Sequence, residues 1–103
     1  ESALLLGADE VLVRNNIGNL LLREGRWTEA LSQYHRLVEL RPADAQIRYT
    51  LAIAMARTGD KTGAQENLLL VLRLDPSHAS ARTALDLLVD QERSKPSPTN
   101  AGT

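Results

Sequence analysis

Two prolines set the frame of this chain. Pro42 and Pro76 stand 34 residues apart, and each closes an apolar run with a similar lead-in, Val38-Glu-Leu-Arg-Pro42 and Leu72-Arg-Leu-Asp-Pro76. The same offset pairs Gly25 with Gly59, Thr28 with Thr62, Ala30 with Ala64, Ile17 with Leu51, Leu21 with Met55 and Arg23 with Arg57. A third pass carries the register through Arg82, Leu85 and Val89. One offset that holds across glycine, alanine, proline and large apolar positions is an internal repeat. A period of this length belongs to chains built by stacking one supersecondary unit.

Inside each unit the apolar spacing is that of a helix rather than a strand. The spacing predicts helices over 10–24, 28–40, 44–58, 62–74 and 78–93. Val13, Ile17, Leu20 and Leu21 form the inner stripe of the first, and Leu31, Tyr34, Leu37, Val38 and Leu40 that of the second. Glycine ends the first helix of each unit and proline follows the second, so each unit is a hairpin of two antiparallel helices. Thr28 is expected to cap the second helix of the first unit, and Thr62 with Gln65 to form a capping box in the second. With aromatics at only 3% and no Phe, the core must be assembled from Leu, Ala, Val and Ile.

These positions resemble the tetratricopeptide repeat over roughly residues 3–93. Ile17, Gly18, Leu21, Gly25, Ala30, Tyr34 and Pro42 match the family pattern in the first unit, and Leu51, Ala52, Gly59, Ala64 and Pro76 in the second. Two departures stand out. Arginine (Arg14, Arg48, Arg82) takes the usual tryptophan place, and Leu37 or Val71 the late alanine. The resemblance implies an all-α fold of tetratricopeptide-type antiparallel helix hairpins, stacked as a short right-handed α-solenoid. Small residues at Gly18, Ala52, Ala30 and Ala64 are expected to let paired helices approach closely.

The register also divides the chain. Residues 1–8 read as the end of a second helix from an upstream or incomplete repeat, since Ala3 falls on Leu37, Leu6 on Leu40 and Ala8 on Pro42. Residues 9–44 form the first unit, 45–77 the second, and 78–93 a C-terminal capping helix with Asp86, Asp90, Gln91 and Glu92 on its polar side. The Pro/Ser-rich stretch 94–103 has the composition of a disordered tail.

Candidate chemistry fares poorly against this frame. Asp60-Lys-Thr-Gly63 resembles the phosphorylation loop of cation-pumping ATPases, but its place is the turn between two helices, with neither the strand nor the large α/β domain such a loop needs. His35 and His78 share no face with a carboxylate or serine arrangement, and the Asp86/Asp90 pair lacks further ligands for a metal. The expectation is therefore no catalytic residue, no metal and no cofactor. Twelve basic against thirteen acidic side chains leave a formal charge of -1, which argues against a nucleic-acid or anionic-membrane surface. Apolar runs such as Leu68–Leu72 are far short of a bilayer span, so no membrane insertion is expected. With no cysteine, neither an oxidising nor a reducing compartment is excluded.

The family resemblance implies a non-catalytic module that binds a protein or peptide in the concave groove lined by the first helices. Projected onto this chain, the groove positions are Asn15, Asn19 and Leu22, then Tyr49, Ile53 and Ala56, then Thr83 and Leu87. Members that grip acidic chaperone tails use a clamp of lysines, asparagines and an arginine; only Asn19 matches it, with Asn15, Thr50, Ser80 and Ala84 in the remaining places. Arg14, Arg48 and Arg82 form a candidate ladder for an acidic ligand, against which stand local pairs with Glu10 and Asp44 one turn earlier. Leu69 and Leu70 fall where the first unit has His35 and Arg36, and mark a candidate oligomer contact. Two further roles remain open: a structural or oligomerisation segment of a longer array, and a regulatory or targeting segment of a multidomain enzyme.

Overall fold

The computed structural model describes residues 2–94, with side chains from Glu10 to Gln91. Five helices follow in order: α1 (Ser2–Arg23), α2 (Trp27–Leu40), α3 (Ala45–Arg57), α4 (Lys61–Leu74) and α5 (Ala79–Ser94). There is no strand among the described residues. Each helix packs against the next in the chain, so α1–α2 and α3–α4 are the two hairpins and α5 closes the series. The expected tail beyond Ser94 lies outside the described residues.

The two hairpin turns are built identically. Gly25 and Gly59 take positive φ, 75° and 96°, which L side chains adopt only with strain. Around Gly25, the Arg26 amide donates to the Leu21 carbonyl at 2.9 Å and the Gly25 amide to Leu22 at 3.1 Å. Around Gly59, Asp60 donates to Met55 at 2.9 Å and Gly59 to Ala56 at 3.2 Å. Both are Schellman closures, which satisfy the last carbonyls of a first helix and reverse the chain.

Helix starts correct the expected caps. Asp60, not Thr62, caps α4: its carboxylate accepts from the Gly63 amide at 2.9 Å. Aspartate is among the strongest N-cap residues, and it also complements the positive end of the helix dipole. A Cβ on Gly63 would stand 2.5 Å from Asp60 Oδ2, so the small residue there makes room for the cap. Helix α2 begins at Trp27 behind Arg26 with no side-chain cap, so Thr28 is already inside the helix. Asp44 caps α3 by accepting from the Ile47 amide at 3.1 Å.

At the start of the chain, helix α1 runs unbroken through Ala8. The reason is local: Pro42 and Pro76 end α2 and α4, whereas the equivalent residue is Ala8, the best helix former.

The core forms in two clusters. Leu21, Ala30, Tyr34, Leu37, Ile47 and Leu51 fill the space between α1, α2 and α3. Ala52, Ala64, Leu68, Val71, Ala81 and Leu88 fill that between α3, α4 and α5. Leu37 and Leu68 are fully buried, each worth roughly 1.5–3 kcal/mol. The expected inner stripe of α1 is only half realised. Leu21 is buried, but Val13, Ile17 and Leu20 are 52%, 41% and 51% exposed. Their counterparts one repeat later, Ile47, Leu51 and Ala54, are 5%, 2% and 0% exposed, because α2 lies over that face of α3.

Candidate functional site

The projected groove residues separate into those that line clefts and those already engaged. Ile53 and Ala56 of α3 and Leu87 of α5 come together in a cleft of about 240 Å³. Its floor is completed by Ala52, Leu68, Ala84 and Leu88, and Arg57 and Gln91 stand among its lining residues. Leu87 itself is 58% exposed, an apolar side chain held at the surface by the helix register. Small residues on both helices, Ala52 and Ala56 on α3 and Ala84 on α5, leave this space where bulkier side chains would fill it.

Asn15 lines a second cleft, about 220 Å³, between α1 and α3 with Val11, Ile47, Thr50, Asp44 and Gln46. Its walls mix amide, hydroxyl and carboxylate groups with apolar surface, so this cleft is more polar than the one between α3 and α5. Thr83 is exposed and lines neither cleft.

The other projected positions hold the scaffold. Asn19 Oδ1 accepts a hydrogen bond from the Tyr34 hydroxyl, tying α1 to α2. Burial pushes the Tyr34 phenol up to about 12, so the neutral, donating form holds this bond well above neutral pH. Leu22 packs against the first core cluster. The Tyr49 ring lies 4.9 Å from that of His78, centroid to centroid. His78 Nδ1 accepts from the Ala81 amide at 3.1 Å, capping α5, while Nε2 meets Gln46 Oε1 at 3.2 Å. His78 is thus a structural residue between α3 and α5.

The arginine ladder is not assembled as a row of free cations. Arg14 donates from Nε to Glu10 at 2.8 Å and from Nη1 to Gln33 at 3.0 Å. Arg48 donates from Nε to the Pro42 carbonyl at 2.8 Å and from Nη1 to Asn67 at 3.2 Å. Gln33 and Asn67 are themselves equivalent, so in both hairpins the arginine fastens the first helix to the second. The local pair with Asp44 does not form: the Arg48 guanidinium is turned to Pro42 and Asn67, and Asp44 Oδ1 caps α3. Arg82 is exposed.

Glu10 joins the hairpin from the other side. Its Oε2 accepts from Arg36 Nε at 3.0 Å as well as from Arg14. Bonding to Arg36, then to Arg14, holds the Glu10 carboxyl below the usual carboxylate range. Leu69 and Leu70 of α4 are exposed as expected, and Leu74 joins them at 44%. Arg57 was not legible as a cleft residue from the repeat pattern alone; it also lies 5.4 Å over the Trp27 ring, which orients it away from simple solvation. Among the described residues no His, Cys, Asp or Glu cluster is placed to hold a metal ion.

Comparison with known proteins agrees with this geometry. The tetratricopeptide repeat profile matches residues 15–79, more than half of the chain. The chain is 37% identical over 68 residues to a TPR repeat-containing thioredoxin, TTL4, of Arabidopsis thaliana, a match covering 66% of this chain and 10% of that protein. It is 35% identical over 74 residues to the peroxisomal targeting signal receptor of Saccharomyces cerevisiae, covering 72% of this chain and 12% of the receptor. The matched region thus spans about a tenth of the length of these relatives. Among solved structures, the MamA RS-1 ArsTM double mutant superimposes with a TM-score of 0.77 at 28% identity, over 81% of this chain and 47% of that one. Helix hairpins closed at Gly25 and Gly59, prolines after α2 and α4, and the matched profile lead to one assignment: the chain belongs to the tetratricopeptide repeat family.

Proposed function

We propose that this chain binds a segment of a partner protein along its concave side, with an apolar side chain of that segment seated between α3 and α5. The observation that carries the reading is the cleft lined by Ala52, Ile53, Ala56, Ala84 and Leu87. An apolar anchor entering it displaces water from alanine and leucine surface, and the neighbouring guanidinium of Arg57 favours acidic or carbonyl groups beside the anchor. No step of chemistry is asked of the chain. Family membership supports a protein-binding role, and one relative is named for its reception of a targeting signal. The matched stretch is a small part of those relatives, so the module is read as one that works within, or alongside, larger proteins.

The test is selection of peptides from a displayed random library on the intact chain. The reading expects enriched sequences to share a large apolar residue. Their binding should fall at least tenfold on Ile53→Glu or Leu87→Glu and stay unchanged on Leu69→Glu with Leu70→Glu. Enrichment that survives both groove substitutions would overturn it.

A further inference from the structure

The cleft between α3 and α5 has a direction. Of its lining residues only Arg57 and Gln91 carry polar side chains, and both hold the same register position on their helices, 34 residues apart. Ile53 and Leu87 are a second such pair, four residues earlier on each helix. Four helical residues rise about 6 Å. The trough therefore runs from apolar walls to a pair of hydrogen-bond donors one turn further on, toward the ends of α3 and α5.

The Arg57 guanidinium is held but not used. Arg14, Arg26, Arg36 and Arg48 each donate to an oxygen of the chain, whereas Arg57 makes no hydrogen bond or ion pair among the described residues. Its own helix end does not occupy it, because the Thr58, Gly59 and Asp60 amides close the last carbonyls of α3. What it touches is Trp27, with the guanidinium carbon 5.4 Å from the ring centroid. A guanidinium laid over an indole keeps the N–H groups in its own plane free to donate. Lys61 stands at the place of Trp27 one repeat later, so Gln91 gains no such ring.

These donors favour one kind of group. A carboxylate takes two parallel N–H bonds from a guanidinium, and no carboxylate lines the cleft to compete for them. Arg57 and Gln91 are both exposed, at the rim above the buried floor of Ala52, Leu68 and Leu88. That placement suits an acidic side chain projecting from a segment that continues past the cleft.

We propose that the cleft selects a partner segment with an acidic side chain about 6 Å beyond its apolar anchor, two residues along if extended or four if helical. Arg57 binds the carboxylate, and Trp27 is the positioning residue that holds Arg57. The proposal rests on the reading that the anchor seats between α3 and α5.

The probes are peptides recovered from a displayed random library on the intact chain. Each is remade with its acidic residue as the amide, with an amidated C-terminus, and with alanine at the anchor. Calorimetry measures affinity, and the emission of Trp27, the one tryptophan, reports on the ring. Asp or Glu should be enriched two or four positions from the anchor. The side-chain amide form should bind about tenfold more weakly and shift the emission less. Arg57→Gln should bind acid and amide forms alike, and Arg57→Lys should recover only part of the preference. Trp27→Leu should lose most of the preference while binding the amide form as wild type does. Arg57 is exposed, so its variants test the carboxylate contact even if Trp27→Leu does not fold.

An acid preference that survives Arg57→Gln overturns the proposal. So does a folded Trp27→Leu chain that weakens both forms equally, which would make the ring merely structural, or a preference lost on C-terminal amidation alone, which would assign the contact to a chain end. All three leave the anchor reading standing. That reading fails separately, and takes this proposal with it, if alanine at the anchor leaves affinity unchanged.

Discussion

The ring of Tyr34 occupies the space that a side chain on Gly18 would need: a Cβ there would stand 2.8 Å from Cε2. The ring is fully buried and its hydroxyl reaches past the glycine to Asn19, so it has no free rotamer to retreat into. The equivalent pair in the second hairpin is Ala52 with Leu68, both fully buried, where a smaller partner side chain admits the extra methyl. Gly18→Ala is therefore expected to lower stability by roughly 1–3 kcal/mol through overpacking. Urea denaturation checks it, and Gly18→Ala combined with Tyr34→Leu, which copies the second hairpin, should recover part of the loss.

Tyr34→Phe removes the bond to Asn19 while keeping the ring. At neutral pH it should cost about 1 kcal/mol. The alkaline behaviour gives a sharper reading. The folded phenol titrates about 12, above the roughly 10 of an unfolded tyrosine. Its contribution is thus complete below about pH 10 and is lost as pH rises toward 12. Wild type should lose stability across that window more steeply than Tyr34→Phe, by denaturation midpoints measured at each pH.

Asp60 is a cap, and its substitutions should behave as those of a cap. Asp60→Ala should destabilise by about 1 kcal/mol, whereas Asp60→Asn, which keeps the acceptor, should cost only a few tenths. An equal loss in the two variants, by thermal denaturation, would mean that the charge rather than the hydrogen bond is used.

Glu10 ties α1 to α2 through Arg36 and Arg14. Its folded carboxyl titrates below the unfolded value, so its contribution is present above the ordinary carboxylate range and disappears as pH falls through the lowered value. Glu10→Gln should be less stable than wild type near pH 7 and indistinguishable from it at about pH 2. Parallel urea titrations at the two pH values measure the difference.

The hairpins were readable from sequence because their signals are local. Gly25, Gly59, Pro42 and Pro76 each act on the backbone within a few residues, and so place the turns whatever surrounds them. What sequence spacing did not reveal depends on neighbours. Val13, Ile17 and Leu20 carry the same periodic signal as Ile47, Leu51 and Ala54; only the presence of α2 over α3 makes one set core and leaves the other at the surface. Arg14 and Arg48 recur like a binding ladder, but the amides that hold them, Gln33 and Asn67, lie on a different helix, where the register gives no cue of reach. Of the groove positions, Ile53, Ala56 and Leu87 line one cleft. Asn19 and Leu22 are drawn into the scaffold, because α2 competes for the same side chains.

The central claim is that a partner segment seats between α3 and α5. It is tested most directly by backbone amide chemical shifts of the chain titrated with a peptide selected by it. The account predicts perturbations concentrated on Ala52, Ile53, Ala56, Ala84 and Leu87, with the Arg57 side chain responding when the peptide carries an acidic residue beside its apolar anchor. Perturbations gathered instead on the outer faces of α2 and α4, around His35, Arg36, Leu69 and Leu70, would contradict it.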